Sequence, residues 1–321
     1  MSEKESDIFN VYRELEGIPA APRGVALGVF DGVHRGHRHL IARMKEACAE
    51  RHLRPCVFTF SYDTGFGFND KKINHDFLMT DDEKLEVLES LGMRDVFLIP
   101  LTPDFCRLSA DAFLSDVLMN KLSVKLLAIG EDGRFGAGRR GDARYLREFS
   151  RSRDLESLIV PDLYWEGAKV TSSRIREALL EGCVEDAAGM MERPYRLSGV
   201  VVSGSHLGSR IGFPTANIEF PSTSSLLRRG VYVTRTIING KVYPSISNVG
   251  VAPSVRATGS EMLIETYLYD YIGDLYGRDI IIEFYAFIRD ESVFPSVRDL
   301  AACVHADIDA VRIWHLTHET T

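Results

Sequence analysis

The chain has 321 residues, 45% hydrophobic and 26% charged, with a formal net charge of −8. That length exceeds one comfortable hydrophobic core and points to two domains, while the apolar and charged fractions are those of a globular protein. The acidic balance argues against a general electrostatic nucleic-acid binder, which needs a basic face.

The N-terminal MSEKESDIF is charged and has no apolar signal core, and no uncharged apolar run reaches the roughly 20 residues that span a bilayer. Cys48, Cys56, Cys106, Cys183 and Cys303 are scattered, odd in number and without a CxxC pair, which reads as a reduced cytoplasmic chain away from membranes. From Gly24 to about Gly182 apolar runs alternate with helical patterns. GVALGVF is a buried strand, and GHRHLIARMKEACAERH is an amphipathic helix with Leu40, Ile41, Met44, Ala47 and Cys48 on one face. CVFTF, DVFLIPL and KLLAIG are further strands. TDDEKLEVLESLGM is a helix capped by its threonine and opened by acids, and SADAFLSDVLMNKL is another. This alternation predicts a doubly wound parallel sheet.

After about Cys183 the texture changes. EDAAGMMERPY gives a short helix, and LSGVVVSG, GVYVTRTIINGKVYPSISN, MLIETYLYD and DIIIEFYAFI are β-rich. Asn239-Gly240 marks a hairpin between two such runs. An antiparallel barrel or sandwich is predicted, followed by a last helix with Val297, Leu300, Ala301, Val304, Ile308 and Val311 on one stripe. The domains divide as residues 1–184 and 185–321.

Three fragments of the first half carry anion-binding chemistry. GVFDGVHRGH, Gly28 to His37, leaves a strand and opens a helix, where free N–H groups and the helix dipole attract phosphate. Gly28, Gly32 and Gly36 allow close approach, and His34 and His37 offer imidazole N–H groups to phosphoryl oxygens. Capping or surface roles for the two histidines fit the same spacing. A zinc site needs more ligands than these two, and no P-loop pattern occurs. GEDGRFGAGRRGD sets Asp132 past a strand end, with Arg134, Arg139 and Arg140 in a glycine-rich loop suited to polyphosphate or simply solvated. TSSRIREAL puts Thr171, Ser172 and Ser173 at a helix start with Arg176 one turn on; an anion site and a plain N-cap both fit.

In the second half, GSHLGSRIGFPTANI combines Gly204, Gly208 and Gly212 with Pro214 and with Thr215 and Asn217, hard oxygen donors that suit Mg²⁺ carried by ATP. A surface turn rigidified by proline is the alternative. Glu265 lies inside a strand of apolar and aromatic neighbours. A carboxylate there either faces solvent on an edge or does chemistry as a proton acceptor.

Together, GVFDGVHRGHRHLI, GEDGRFGAGRRGD and TSSRIREAL resemble the signatures of bacterial FAD synthetase domains, and GFPTANI, IETYLYDYIGDLYGRDIIIEFYAFIRDE and the closing helix resemble riboflavin kinase. The resemblance, from about Gly24 to Arg312, is to the bacterial bifunctional riboflavin kinase/FAD synthetase family. It implies an α/β Rossmann-like nucleotidyltransferase domain followed by an antiparallel Greek-key β-barrel kinase domain with a C-terminal helix. It also implies that His34, Gly36 and His37, with Gly28, Phe30, Asp31, Gly32, Asp132, Arg139, Ser172, Ser173 and Arg176, handle ATP for adenylylation. In the barrel it implies that Gly208, Gly212, Pro214, Thr215 and Asn217 hold Mg²⁺–ATP, and that Glu265 is the general base on the ribityl 5′-hydroxyl. Riboflavin, FMN and ATP would be the substrates, and FAD, ADP and pyrophosphate the products.

The sequence departs from the family pattern in places. SYDTGFGFND replaces an acidic residue and Pro-His-Pro after Phe60, which bears on flavin contacts in the first domain. Gly133 stands at a usual Phe, Glu192 at a usual Gly, Ser209 at a usual Arg, and VAPSV replaces TRPTF. The departure from Ser61 to Asn69 motivates a second reading, a flavin- or nucleotide-sensing binder that has lost one chemistry; a third, an adenylyltransferase for another phosphorylated acceptor, is opposed by the flavin-kinase motifs of the barrel.

Overall fold

A computed structural model describes residues 8–61, 77–204, 212–219, 226–251 and 262–318. Gly208, Ser209, the stretch 62–69 and the stretch 252–255 lie outside these. The chain forms two compact units, Met1–Ser172 and Ser173–Thr321.

The first unit is built on six strands, β1 (Asn10–Tyr12), β2 (Arg23–Leu27), β3 (Arg54–Ser61), β4 (Asp95–Pro100), β5 (Val124–Gly130) and β6 (Glu156–Val160). They lie in the order β1-β4-β3-β2-β5-β6, every pair parallel. β2 is buried at all five residues, as a strand covered on both faces must be. Helix α1 (Arg35–Arg51) buries Leu40, Ile41, Met44, Ala47 and Cys48, the stripe its periodicity predicts. Helix α2 (Asp81–Ser90) starts in a capping box between Thr80 and Glu83. After a short turn, α3 (Pro103–Cys106), the segment SADAFLSDVLMNKL forms α4 (Ala110–Ala112) and runs on as a π-helix over Phe113–Lys121. Helix α5 (Ala143–Ser150) precedes β6. Beyond β6 a hairpin of β7 (Tyr164–Trp165) and β8 (Ala168–Lys169) appears that the sequence pattern does not signal. Two apolar layers cover the sheet, one centred on Phe58, Phe97 and Leu114, the other on Phe30, Met44 and Leu88.

The chain leaves β2 for β3 and β4 on one side and returns to β5 on the other. The strand order therefore reverses between β2 and β5, and the crevice beyond their carboxyl ends is where open α/β sheets bind ligands.

Helix α6 (Ser172–Glu181) begins at the division between the units, and α7 (Val184–Met191) follows it. The second unit is a closed barrel of β9 (Tyr195–Val202), β10 (Ala216–Glu219), β11 (Gly230–Ile238), β12 (Lys241–Val251), β13 (Met262–Leu268) and β14 (Asp279–Arg289), in the order β10-β13-β12-β11-β14-β9. All pairs are antiparallel. Asn239 and Gly240 turn the β11–β12 hairpin with φ of 50° and 76°, the left-handed pair that such a turn requires. Inside the barrel, Thr234, Thr236, Ser245, Ser247 and Thr266 are fully buried and bond to one another through their hydroxyls at 2.8–2.9 Å. Helix α8 (Val297–Thr317) packs Ile308 and Val311 on the outer face of Val231, Val233 and Ile246. Its buried stripe starts later than its sequence suggests, since Val297 is exposed while Asp307 is buried and bonds Arg289 at 2.6 Å.

Candidate active sites

In the first unit, the turn after β2 is held in an unusual backbone path. Phe30 and Val33 have φ of 54° and 38°, and Gly32 has φ of 79°. Left-handed backbone costs a β-branched residue most, on the order of 1–3 kcal/mol, and such strain gathers at functional sites. The surroundings impose it. Thr59 Oγ1 donates to Val29 O at 2.9 Å, Asp31 Oδ1 accepts from Leu78 N at 2.9 Å, and a Cβ on Gly32 would lie 2.7 Å from Leu78 Cδ1. Phe30 has no exposed surface and Asp31 is buried, so both shape the turn from within.

The turn delivers His34 to the N-cap of α1. Its Nδ1 accepts from His37 N at 3.4 Å, so this nitrogen carries a lone pair and the ring proton sits on Nε2. The two imidazoles stack with centroids 3.7 Å apart and planes 14° apart, and His37 rests on Phe30 at 5.1 Å. His37 Nδ1 is buried with no hydrogen-bond partner among the described residues. Burial first, then His34, then Lys84, hold His37 well below the usual histidine range. Of the roles that sequence sets as alternatives for His34, the structure shows the cap, made through Nδ1. A Cβ on Gly28 would lie 3.1 Å from Phe30 Cε2, and one on Gly36 would lie 3.2 Å from His34 Cε1.

Ser172 Oγ donates to Asp31 O at 2.9 Å, which fastens the start of the TSSRIREAL fragment to this turn. Ser173 is exposed and Arg176 half-buried on α6, both in the second unit. Asp132, past β5, is exposed and bonds Lys169 at 2.7 Å; Lys169 also bonds Asp162 at 2.6 Å. The glycine-rich loop exposes Arg134, Arg139 and Arg140, and Phe135 pairs with Gly141 at its base.

One cluster escapes the sequence reading. Lys84 and Asp81 are buried beside the end of β3 and paired at 3.2 Å. A signal does exist, because 81, 84, 87 and 88 fall on one helical face and Val87 and Leu88 are core.

In the barrel, the register sets Asn217, Glu265 and Asn248 side by side across β10, β13 and β12. Glu265 is half-buried on a strand paired on both sides, so the closed barrel leaves it no edge to occupy. Burial first, and the carboxylate of Glu291 second, push its carboxyl above the usual glutamate range. Asn217 is buried and its Oδ1 has no hydrogen-bond partner among the described residues. Thr215 is half-buried, Pro214 and Gly212 are exposed, and Phe213 packs on Tyr267 and His305. Gly204 must lack a side chain, since a Cβ there would lie 2.0 Å from Asn217 Nδ2. An amide oxygen with no donor among the described residues, two positions on from the Thr215 hydroxyl and in register with a carboxylate of raised affinity for protons, is a set that fits a hard cation and a hydroxyl to be deprotonated.

Comparison with known proteins agrees with both halves. A family described as FAD synthetase matches residues 20–174, and one described as riboflavin kinase matches residues 191–315. The bifunctional riboflavin kinase/FMN adenylyltransferase of Escherichia coli (strain K12) is 33% identical over 93% of this chain and 96% of its own. The chain belongs to that family. The bifunctional enzyme of Haemophilus influenzae is 30% identical over 95% of this chain and 96% of its own. A solved structure described as a macrolide-efflux protein from Streptococcus pneumoniae is 28% identical, with a TM-score of 0.85 over 95% of this chain and 99% of that one. No helix among the described residues is long and apolar enough to cross a membrane. Of the bifunctional family's two matched spans, the first holds the stacked histidines and the second holds Thr215, Asn217 and Glu265.

Proposed function

We propose that this chain makes FMN and FAD in two steps at two sites. The barrel transfers the γ-phosphoryl group of ATP to the 5′-hydroxyl of riboflavin, giving FMN and ADP. The α/β unit joins the AMP part of a second ATP to FMN, giving FAD and pyrophosphate. The observation that carries the reading is the in-register pair of Asn217 and Glu265, an amide oxygen with no donor among the described residues beside a proton-avid carboxylate. Residues 1–184 serve adenylylation and 185–321 serve the kinase step. A cytoplasmic chain is the reading that five cysteines without a disulfide and the need for ATP support.

In the kinase step a neutral hydroxyl attacks the γ-phosphorus, Glu265 takes its proton, and ADP leaves. Thr215 and Asn217 would hold Mg²⁺ there, and the cation supplies charge neutralisation on the phosphates. In adenylylation the ionised FMN phosphate attacks the α-phosphorus and the bond to pyrophosphate breaks, so no strong base is needed. His34 and His37 donate N–H groups to the charge that gathers on the leaving side, the strained turn holds them in place, and Arg139, Ser172, Ser173 and Arg176 bind the nucleotide.

Chromatography of a mixture of the protein with riboflavin, ATP and Mg²⁺ tests the reading. FMN and then FAD are expected, and both fall when Mg²⁺ is withheld. Ligand binding without either product would replace the enzyme by a flavin or nucleotide sensor.

A further inference from the structure

The hairpin beyond β6 has no core of its own. β7 and β8 pair only Tyr164 with Lys169 and Trp165 with Ala168. Glu166 and Gly167 turn it with φ of 50° and 78°, the left-handed pair of a tight two-residue loop. Tyr164, Glu166, Gly167 and Ala168 are exposed. A two-stranded hairpin is marginal by itself, so side chains must anchor this one. Two do. Lys169 bonds Asp132 at 2.7 Å and Asp162 at 2.6 Å, past the ends of β5 and β6. Trp165 lies under Arg35, whose Cζ is 4.4 Å from the centre of the indole.

Arg35 is the first residue of α1, between His34 at the N-cap and His37. The chain that leaves the hairpin lies against that same turn. A Cβ on Gly36 would lie 4.0 Å from Val170 O, and two residues on Ser172 Oγ donates to Asp31 O at 2.9 Å. The Arg35 side chain is half-buried. Stacking uses the flat face of a guanidinium, while its N–H groups lie in the plane. One arginine can therefore rest on a ring and donate to phosphoryl oxygens at once. An arginine already laid on a ring also loses less freedom on binding than one in water. The positive end of α1 and a fork of N–H donors together suit a polyphosphate.

We propose that Arg35 is a pyrophosphate-binding residue of the adenylylation site, and that Trp165 is the positioning residue that holds it there. The proposal rests on the adenylylation reading above. In the forward direction Arg35 takes up charge on the oxygens of the leaving pyrophosphate. In the reverse direction a pyrophosphate oxygen attacks the AMP phosphorus of FAD, the new P–O bond makes ATP, and FMN leaves with the electron pair of the bond it held.

The test is the reverse reaction of the full chain, FAD with Mg²⁺–pyrophosphate, which the kinase site does not perform. Arg35→Met should raise the KM for pyrophosphate roughly 10- to 100-fold, and Arg35→Lys, which keeps the charge but not the planar fork, by less. Trp165→Leu should raise it about 3- to 10-fold, and Trp165→Phe, which keeps a ring face, should restore most of the loss. In the Arg35→Met background Trp165→Leu should add nothing to that KM, a result that a merely structural hairpin would not give. FMN formation by the barrel should be unchanged throughout. A wild-type pyrophosphate KM in folded Arg35→Met, or the full cost of Trp165→Leu persisting in the Arg35→Met background, overturns the proposal. A wild-type chain that neither makes nor cleaves FAD refutes the adenylylation reading instead, and fluorescence then decides the binding half. The chain has two tryptophans, so Trp314→Phe leaves Trp165 as the one indole reporter. Its emission should change on titration with Mg²⁺–pyrophosphate, at a midpoint that Arg35→Met raises at least 10-fold; no change, or an unmoved midpoint, overturns that half too.

Discussion

Gly204→Ala probes the kinase site through the residue packed against the Asn217 amide. A Cβ at this position would lie 2.0 Å from Asn217 Nδ2, 2.3 Å from its Cγ and 2.6 Å from its Oδ1. Ordinary contact begins near 3.4 Å, so the amide must retreat by more than an ångström. Asn217 is only 6% exposed and has little room to do so. Overpacking of this kind costs about 1–3 kcal/mol. For a lobe of this size, 2 kcal/mol lowers Tm by roughly 6 °C. A misplacement of about 1 Å in a positioning group costs on the order of 100-fold in rate. FMN formation from riboflavin should therefore fall about 100-fold. FAD formation from supplied FMN should hold, because the other site shares none of these residues. A double-mutant cycle sharpens the test: in an Asn217→Ala background the added Gly204→Ala should cost little more, since the obstacle is gone. A folded Gly204→Ala chain that makes FMN at the wild-type rate would refute the reasoning.

Glu265→Gln should lower FMN formation by roughly two to four orders of magnitude and spare FAD formation from FMN; equal loss of both would merge the two sites into one. Glu265 works only when ionised and its carboxyl lies above the usual value of 4.5. The kinase kcat/KM should accordingly fall away as pH drops through a limb above that value, and a limb at or below it would contradict the assignment. His37→Ala should damage FAD formation and leave the kinase step intact, which paired assays on one preparation would show; an unchanged adenylylation rate discards that role.

Periodicity alone locates α1, its buried stripe, the Thr80 cap and the Asn239-Gly240 hairpin, because each is decided by residues close in sequence. β1 and the β7–β8 hairpin escape it: they are two or three residues long, and β1 is held by a distant partner, β4. The site divides in the same way. His34, His37, Thr215, Asn217 and Glu265 stand out by residue type. The stacking of the histidines, the anchoring of Asp31 on Leu78 and the pairing of Asp132 with Lys169 depend on contacts across the fold. Glu265 reads from sequence as solvent-facing on an edge or else chemical, and only barrel closure removes the edge. Lys84 looks like one charge among many in an acidic helix until its neighbours on that face prove to be core.

The hydroxyls lining the barrel interior constrain how this lobe can diverge. Ser247 bonds both Thr234 and Thr266, and Ser245 bonds both Thr234 and Thr236. Swapping Ser247 for an aliphatic residue takes away the partner of the Thr266 hydroxyl, and swapping Ser245 that of Thr236, whereas exchanging the whole group for aliphatics of matching shape is nearly neutral. The threonines can thus be exchanged one at a time, while each serine is tied to the threonine it serves, so a lineage that turns this interior aliphatic must lose its threonines before its serines.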